Sequence, residues 1–106
     1  MLKSLNAKEA ADLIKSNNDI KILDVRSEME INMTGTIEGS ILIDLNDPKA
    51  ENLVNSLDKS GKYLLYCATG ARAEALAHYM EKKGFEEIYN LIYGGYSQLA
   101  MALKNN

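Results

Sequence analysis

Lys62-Tyr63-Leu64-Leu65-Tyr66-Cys67-Ala68-Thr69-Gly70-Ala71-Arg72-Ala73 is the stretch on which the fold turns. Lys62 to Tyr66 is the most hydrophobic strand candidate of the chain, and Cys67 follows it directly. Ala73 to Lys83 is rich in Ala, Leu, Met and Glu, stops at Gly84, and carries Lys82 and Lys83 where they complement the helix dipole. A buried strand, a loop of small residues and a helix are therefore expected in that order. Backbone N–H groups of such a loop and of the first helical turn converge on one spot, which favours an anion. A thiol held there ionises more readily, and the thiolate is the nucleophilic form.

Outward from this segment, strand and helix signals alternate. Asn6-Ala-Lys-Glu9 has the form of a capping box and predicts a helix over Ala7 to Lys15. Ile20 to Val25 reads as a short buried strand with Asp24 and Arg26 at its end, and Ser27 to Glu30 repeats the cap spacing. Ile41 to Ile43 is a second short strand, and Pro48 opens a helix expected to reach Leu57. Beyond Gly84, Glu87 to Ile92 gives a strand, Gly94-Gly95 a break, and Ser97 to Lys104 a last helix. Alternation of this kind predicts an α/β sandwich, a small mostly parallel sheet with helices on both faces. Ligands in such sheets gather at the carboxyl ends of the strands, where Asp24 and Cys67 both fall.

Bulk properties narrow the function. With 106 residues the expectation is one domain over 1–106, and 46% hydrophobic against 25% charged residues is ordinary globular usage. A formal net charge of -3 gives no general attraction to nucleic acid or anionic lipid, so neither partner is expected. The longest apolar run, Tyr63 to Ala68, falls far below the roughly 20 residues of a membrane span. Charged residues interrupt the first helix, so no secretory leader is read and a cytoplasmic location is expected. One Cys and one His allow neither an internal disulfide nor a metal cluster of the usual spacing. No cofactor is called for, and any chemistry at Cys67 is that of a lone thiol.

Four segments together resemble the rhodanese-like family. Leu23-Asp24-Val25-Arg26 is similar to its first-strand signature, and Gly35-Thr36-Ile37-Glu38-Gly39-Ser40 to its G-H-I-x-G-A segment. Cys67-Ala68-Thr69-Gly70-Ala71-Arg72 matches its C-x-x-G-x-R loop, and Tyr93-Gly94-Gly95-Tyr96 resembles its terminal turn. Each is a weak pattern alone, but four in the right order are not a chance event. The resemblance implies the rhodanese-like three-layer sandwich. It also implies a sulfurtransferase in which Cys67 takes the outer sulfur of thiosulfate or a persulfide donor and hands it to a thiol, free or protein-borne, or to cyanide. Alternatives are a non-catalytic rhodanese-like module that binds a partner protein, and a phosphatase or arsenate reductase of related fold. Those last enzymes use a loop one residue longer, which fits a tetrahedral oxyanion better than a sulfur atom.

Around Cys67 the expected substrate-binding residues are Ala68, Thr69, Gly70, Ala71 and Arg72. Arg72 offers a planar fork of donors to the substrate, and the small Ala68 and Ala71 keep the mouth open. Asp24 is expected to hold the strand end together, and Arg26 to form an ion pair with Glu30. His78 reads as a solvated or packed helix residue and not as a general base. Tyr66, Tyr93 and Tyr96 read as half-buried core, with Tyr96 the one candidate for a lip beside the sulfur. Thr36 stands where the family often has His, and Leu99 near a frequent Trp. The loop also lacks the second basic residue common in members that use thiosulfate. These departures bear on the packing around the loop and on the choice of donor.

Overall fold

The computed structural model describes residues 1–105. Five strands alternate with five helices: β1 (Leu2–Leu5), α1 (Ala7–Ser16), β2 (Ile20–Asp24), α2 (Glu28–Thr34), β3 (Ile41–Leu42), α3 (Ala50–Asn55), β4 (Lys62–Tyr66), α4 (Ala71–Lys82), β5 (Glu87–Leu91) and α5 (Tyr96–Lys104). The strands form one sheet in the order β1-β5-β4-β2-β3, and every neighbouring pair is parallel. The chain leaves β2 toward one edge of the sheet and β4 toward the other. The connections at their carboxyl ends thus diverge, which is the topological switch point where open parallel sheets form a crevice.

Side-chain alternation along the strands divides the core in two. Leu23, Val25, Tyr63, Leu65 and Cys67 face a layer that includes Ala50 and Val54 of α3 and Ala73, Leu76, Ala77 and Met80 of α4. Ile22, Leu64, Tyr66 and Leu91 face the opposite layer, with Ala10 and Ala11 of α1 and Leu99 of α5. The four buried positions of α4 recur at the three- and four-residue spacing that puts them on one face. Burial of Leu76 and Met80 there contributes about 1.5–3 kcal/mol each. The expected α/β sandwich with helices on both faces is present.

β1 was not foreseen. Leu2-Lys-Ser-Leu5 is an edge strand without β-branched residues, and Leu5 alone is buried, so no local pattern marks it. Its pairing with β5, Leu2 opposite Ile88 through Leu5 opposite Leu91, makes it a strand. Strands β2, β3 and β5 each end one residue early, yet Val25, Ile43 and Ile92 still donate their N–H groups to neighbouring strands. The expected helix from Pro48 to Leu57 is shorter, because Pro48 and Lys49 belong to a tight turn in which Asp47 accepts from Lys49 and Ala50.

Candidate active site

Cys67 emerges from β4, the central strand, and its place is set on both sides. Gly70 is left-handed, with φ +108°, which lets its carbonyl accept from Glu74 and starts α4 two residues before the expected Ala73. Arg72 accordingly lies in the first helical turn and not in the loop. Cys67 Sγ accepts hydrogen bonds from Gly70 N–H at 3.0 Å and Ala73 N–H at 3.4 Å. Both donors belong to the N-terminal end of α4, where its unpaired backbone N–H groups point at the sulfur.

The exit of β5 closes over the loop. Tyr96 N–H donates to the Cys67 carbonyl at 2.8 Å. A Cβ on Gly95 would collide with the carbonyl oxygens of Cys67 and Ala68, so only glycine allows this approach. The expected open mouth is absent: Ala68, Thr69 and Ala71 are exposed, but Cys67 is 0% exposed, its side chain packed in the core layer of α3 and α4 beneath the Gly70 and Ala73 N–H groups. A cavity of about 200 Å³ opens beside Ala68, lined also by Arg26, Glu30, Met33, Thr34 and Tyr96. A larger cavity, about 410 Å³, lies between α3 and α4, and no residue of the Cys67 loop lines it.

The expected ion pair between Arg26 and Glu30 does not form. Arg26 instead turns back onto Asp24, with Nε to Oδ1 at 3.0 Å and Nη2 to Oδ2 at 2.9 Å. Asp24 also accepts from Arg26 N–H, from the Thr36 hydroxyl and from the Tyr66 hydroxyl. Burial pushes this carboxyl upward, but the hydrogen bonds from Arg26, Thr36 and Tyr66 outweigh it and hold Asp24 below the usual carboxylate range. Such a buried pair persists only when its remaining donors and acceptors are satisfied, as they are here. Thr36 thus completes the network that supports the strand end.

Glu30 goes to Arg72. The two form a bidentate pair, Nη1 to Oε1 at 2.6 Å and Nη2 to Oε2 at 2.9 Å, with side chains 33% and 38% exposed respectively. Glu30 Oε1 also accepts from Ser27 N–H and its hydroxyl, closing the cap of α2. Arg72, then the Ser27 N–H, hold the Glu30 carboxyl down at about 2. The fork expected to face substrate is occupied by a carboxylate from a different helix. The residue missed as a site partner is Glu30, and nothing in the sequence spacing signals it, since 42 positions separate it from Arg72.

Helix α2 itself buries no residue. Polar bonds hold it over the site: Arg26 donates to Thr34 Oγ1 and the Gly35 carbonyl, and Tyr96 OH donates to the Thr34 carbonyl. The Arg26 guanidinium carbon lies 4.2 Å from the centre of the Tyr96 ring. Tyr96 is half-buried, packed on the core at the start of α5, and its exposed side lines the cavity beside Ala68. Tyr66 is fully buried, while Tyr93 is 83% exposed, because a left-handed backbone with φ 59° turns it outward before the glycines. His78 is exposed, which selects the solvated of its two readings.

A parallel α/β sandwich with a cysteine seated among backbone N–H groups, where the central strand meets its helix, defines a class of thiol-bearing domains. This chain belongs to the rhodanese-like domain family, whose pattern matches residues 6–102. It is 30% identical over 94 residues to the thiosulfate sulfurtransferase GlpE of Coxiella burnetii, covering 89% of this chain and 84% of that one. It is 33% identical over 85 residues to the tRNA uridine(34) hydroxylase of Cytophaga hutchinsonii, covering 77% of this chain but spanning only 27% of that protein's length. Among solved structures, a rhodanese-like domain protein from Staphylococcus aureus superposes with a TM-score of 0.78 at 28% identity, covering 92% of this chain and 90% of that one.

Proposed function

We propose that this protein is a sulfurtransferase that carries sulfane sulfur as a persulfide on Cys67, from thiosulfate or a persulfide donor to a thiol or cyanide. The observation that carries this reading is the seat of Cys67 Sγ, which accepts N–H groups from Gly70 and Ala73 at the end of the central strand. These donors stabilise the attacking thiolate and equally the persulfide anion that follows it. In the first half-reaction the Cys67 thiolate attacks the outer sulfur of the donor and the donor's remainder leaves with the electron pair of the broken S–S bond. In the second, an acceptor thiolate or cyanide attacks that outer sulfur and Cys67 leaves as thiolate.

Ala68, Thr69, Gly70, Ala71 and Arg72 form the wall that the donor meets, and Asp24 with Arg26 supports it from the neighbouring strand. A binding module needs no nucleophile held by aimed donors, so the Cys67 seat favours the enzyme. Phosphatase or arsenate reductase chemistry is disfavoured by the short loop and by an Arg72 fork already filled by Glu30.

The test is intact mass after incubation with excess thiosulfate and, separately, with cysteine persulfide. A gain of one sulfur atom, removed by a dithiol and absent in Cys67→Ser, is the expected result. No gain from either donor would refute the proposal.

A further inference from the structure

Two arginines stand at the mouth of this site, and each is matched by its own carboxylate. Arg26 is closed on Asp24, and the Arg72 fork is closed on Glu30. Arg26 is the one cation lining the cavity beside Ala68; Met33, Thr34, Tyr96 and Ser97 complete the lining with Glu30. Met33 is 81% exposed and the Tyr96 ring is held in place by Arg26, so much of this surface is apolar. Such a surface accepts an organic group and leaves an anion without a counter-charge.

We propose that Glu30, by neutralising Arg72, sets the donor class of the site: it disfavours dianionic thiosulfate and favours an organic persulfide whose carrier rests on Met33 and Tyr96. This rests on Cys67 being the sulfur carrier. Charge balance shows why the pairing matters. With thiosulfate, a thiolate meets a dianion; the Cys67 S–S bond forms, the donor S–S bond breaks, and sulfite leaves as a dianion with its electron pair. Three negative charges share the mouth throughout. With a protonated organic persulfide, R–S–SH, the thiolate takes the terminal SH sulfur and R–S⁻ leaves with the electron pair, so a single negative charge is present throughout. Only the first reaction needs a free cation, and the pairing of Arg72 withholds it.

Glu30 acts through Arg72 and is a positioning residue. Glu30→Gln removes its charge while keeping an amide oxygen for the Ser27 cap, a role glutamine fills as glutamate does. The experiment measures the rate of Cys67 persulfide formation against concentration of thiosulfate and of cysteine persulfide, for wild type, Glu30→Gln and Glu30→Asp. Wild type is expected to show a KM for cysteine persulfide at least about tenfold below that for thiosulfate. Glu30→Gln should shift the ratio of the two donors about tenfold toward thiosulfate, chiefly through KM, and Glu30→Asp should retain the wild-type preference. A variant that slows both donors equally, with their ratio unchanged, overturns the proposal by reducing Glu30 to a structural part. Equal use of both donors by wild type overturns it without any variant. Loading of wild type by neither donor overturns the sulfur-carrier reading itself, and is distinct from either.

Discussion

Tyr66 shows how one side chain couples the two strands that end at the site. Its ring is buried in the α1–α5 layer, and its hydroxyl donates to Asp24 at 2.7 Å while accepting from the N–H of Ile37 at 3.1 Å. Burial pushes this phenol upward, so it stays protonated and remains a donor. Tyr66→Phe keeps the ring but leaves the buried Ile37 N–H without its partner. A loss of about 1–3 kcal/mol is expected by denaturant unfolding, with persulfide formation still detectable, because Cys67 Sγ keeps both of its donors. A loss below about 0.5 kcal/mol would mean that water replaces the hydroxyl and that the network is less dry than its geometry implies.

The elements around Cys67 fall into two kinds. β4 and α4 are placed by apolar burial, whereas α2 and the turn into α5 are placed by polar contacts and by one close backbone approach. Gly95 is the point of that approach. Gly95→Ala drives a Cβ into the Cys67 and Ala68 carbonyls, and the backbone cannot yield as a flexible side chain would. Destabilisation of about 2–3 kcal/mol, with a large fall in persulfide formation, is expected from the displaced loop. Gly39→Ala is the contrasting control. Its backbone is left-handed, φ +85°, where that of Gly95 is extended, and nothing lies within 4 Å of the added carbon. It should lose only about 1 kcal/mol and retain its sulfur chemistry. Equal effects of the two substitutions, read by thermal unfolding and intact mass, would show that the close approach at Gly95 costs no more than left-handed strain at a site remote from Cys67.

For the molecule as a whole, charge acts on the donor before contact. A net charge of -3 repels a dianion over distances that salt shortens, the screening length falling from about 30 Å at 0.01 M to about 8 Å at 0.15 M. The second-order rate of persulfide formation from thiosulfate should therefore rise with added inert salt, and that from cysteine persulfide should change less. A thiosulfate rate that falls with salt would reveal a cationic surface steering the anion, contrary to the paired arginines.

The sequence by itself determined the alternation of elements, the helices that flank the sheet, the strand-end position of Cys67 and the small residues after it. These follow from local rules: apolar periodicity, caps at Asn6 and Ser27, and the stop at Gly84. It also carried four motifs sufficient for the family. β1 stayed hidden because an edge strand with one buried side chain has almost no periodic signal. Tertiary structure alone decided how the charges pair. Arg26 lies four residues from Glu30, a spacing that invites pairing, yet the chain turns sharply after β2 and folds Arg26 back onto Asp24. Glu30 is left facing α4, where Arg72 projects from a different part of the chain. Ion pairs depend on distance in space and on which partner is buried, and sequence separation encodes neither. The contact across the Cys67 backbone has the same origin: a glycine turn near the C-terminus meets the carbonyls of a loop from the central strand, an encounter that exists only once the sheet has formed.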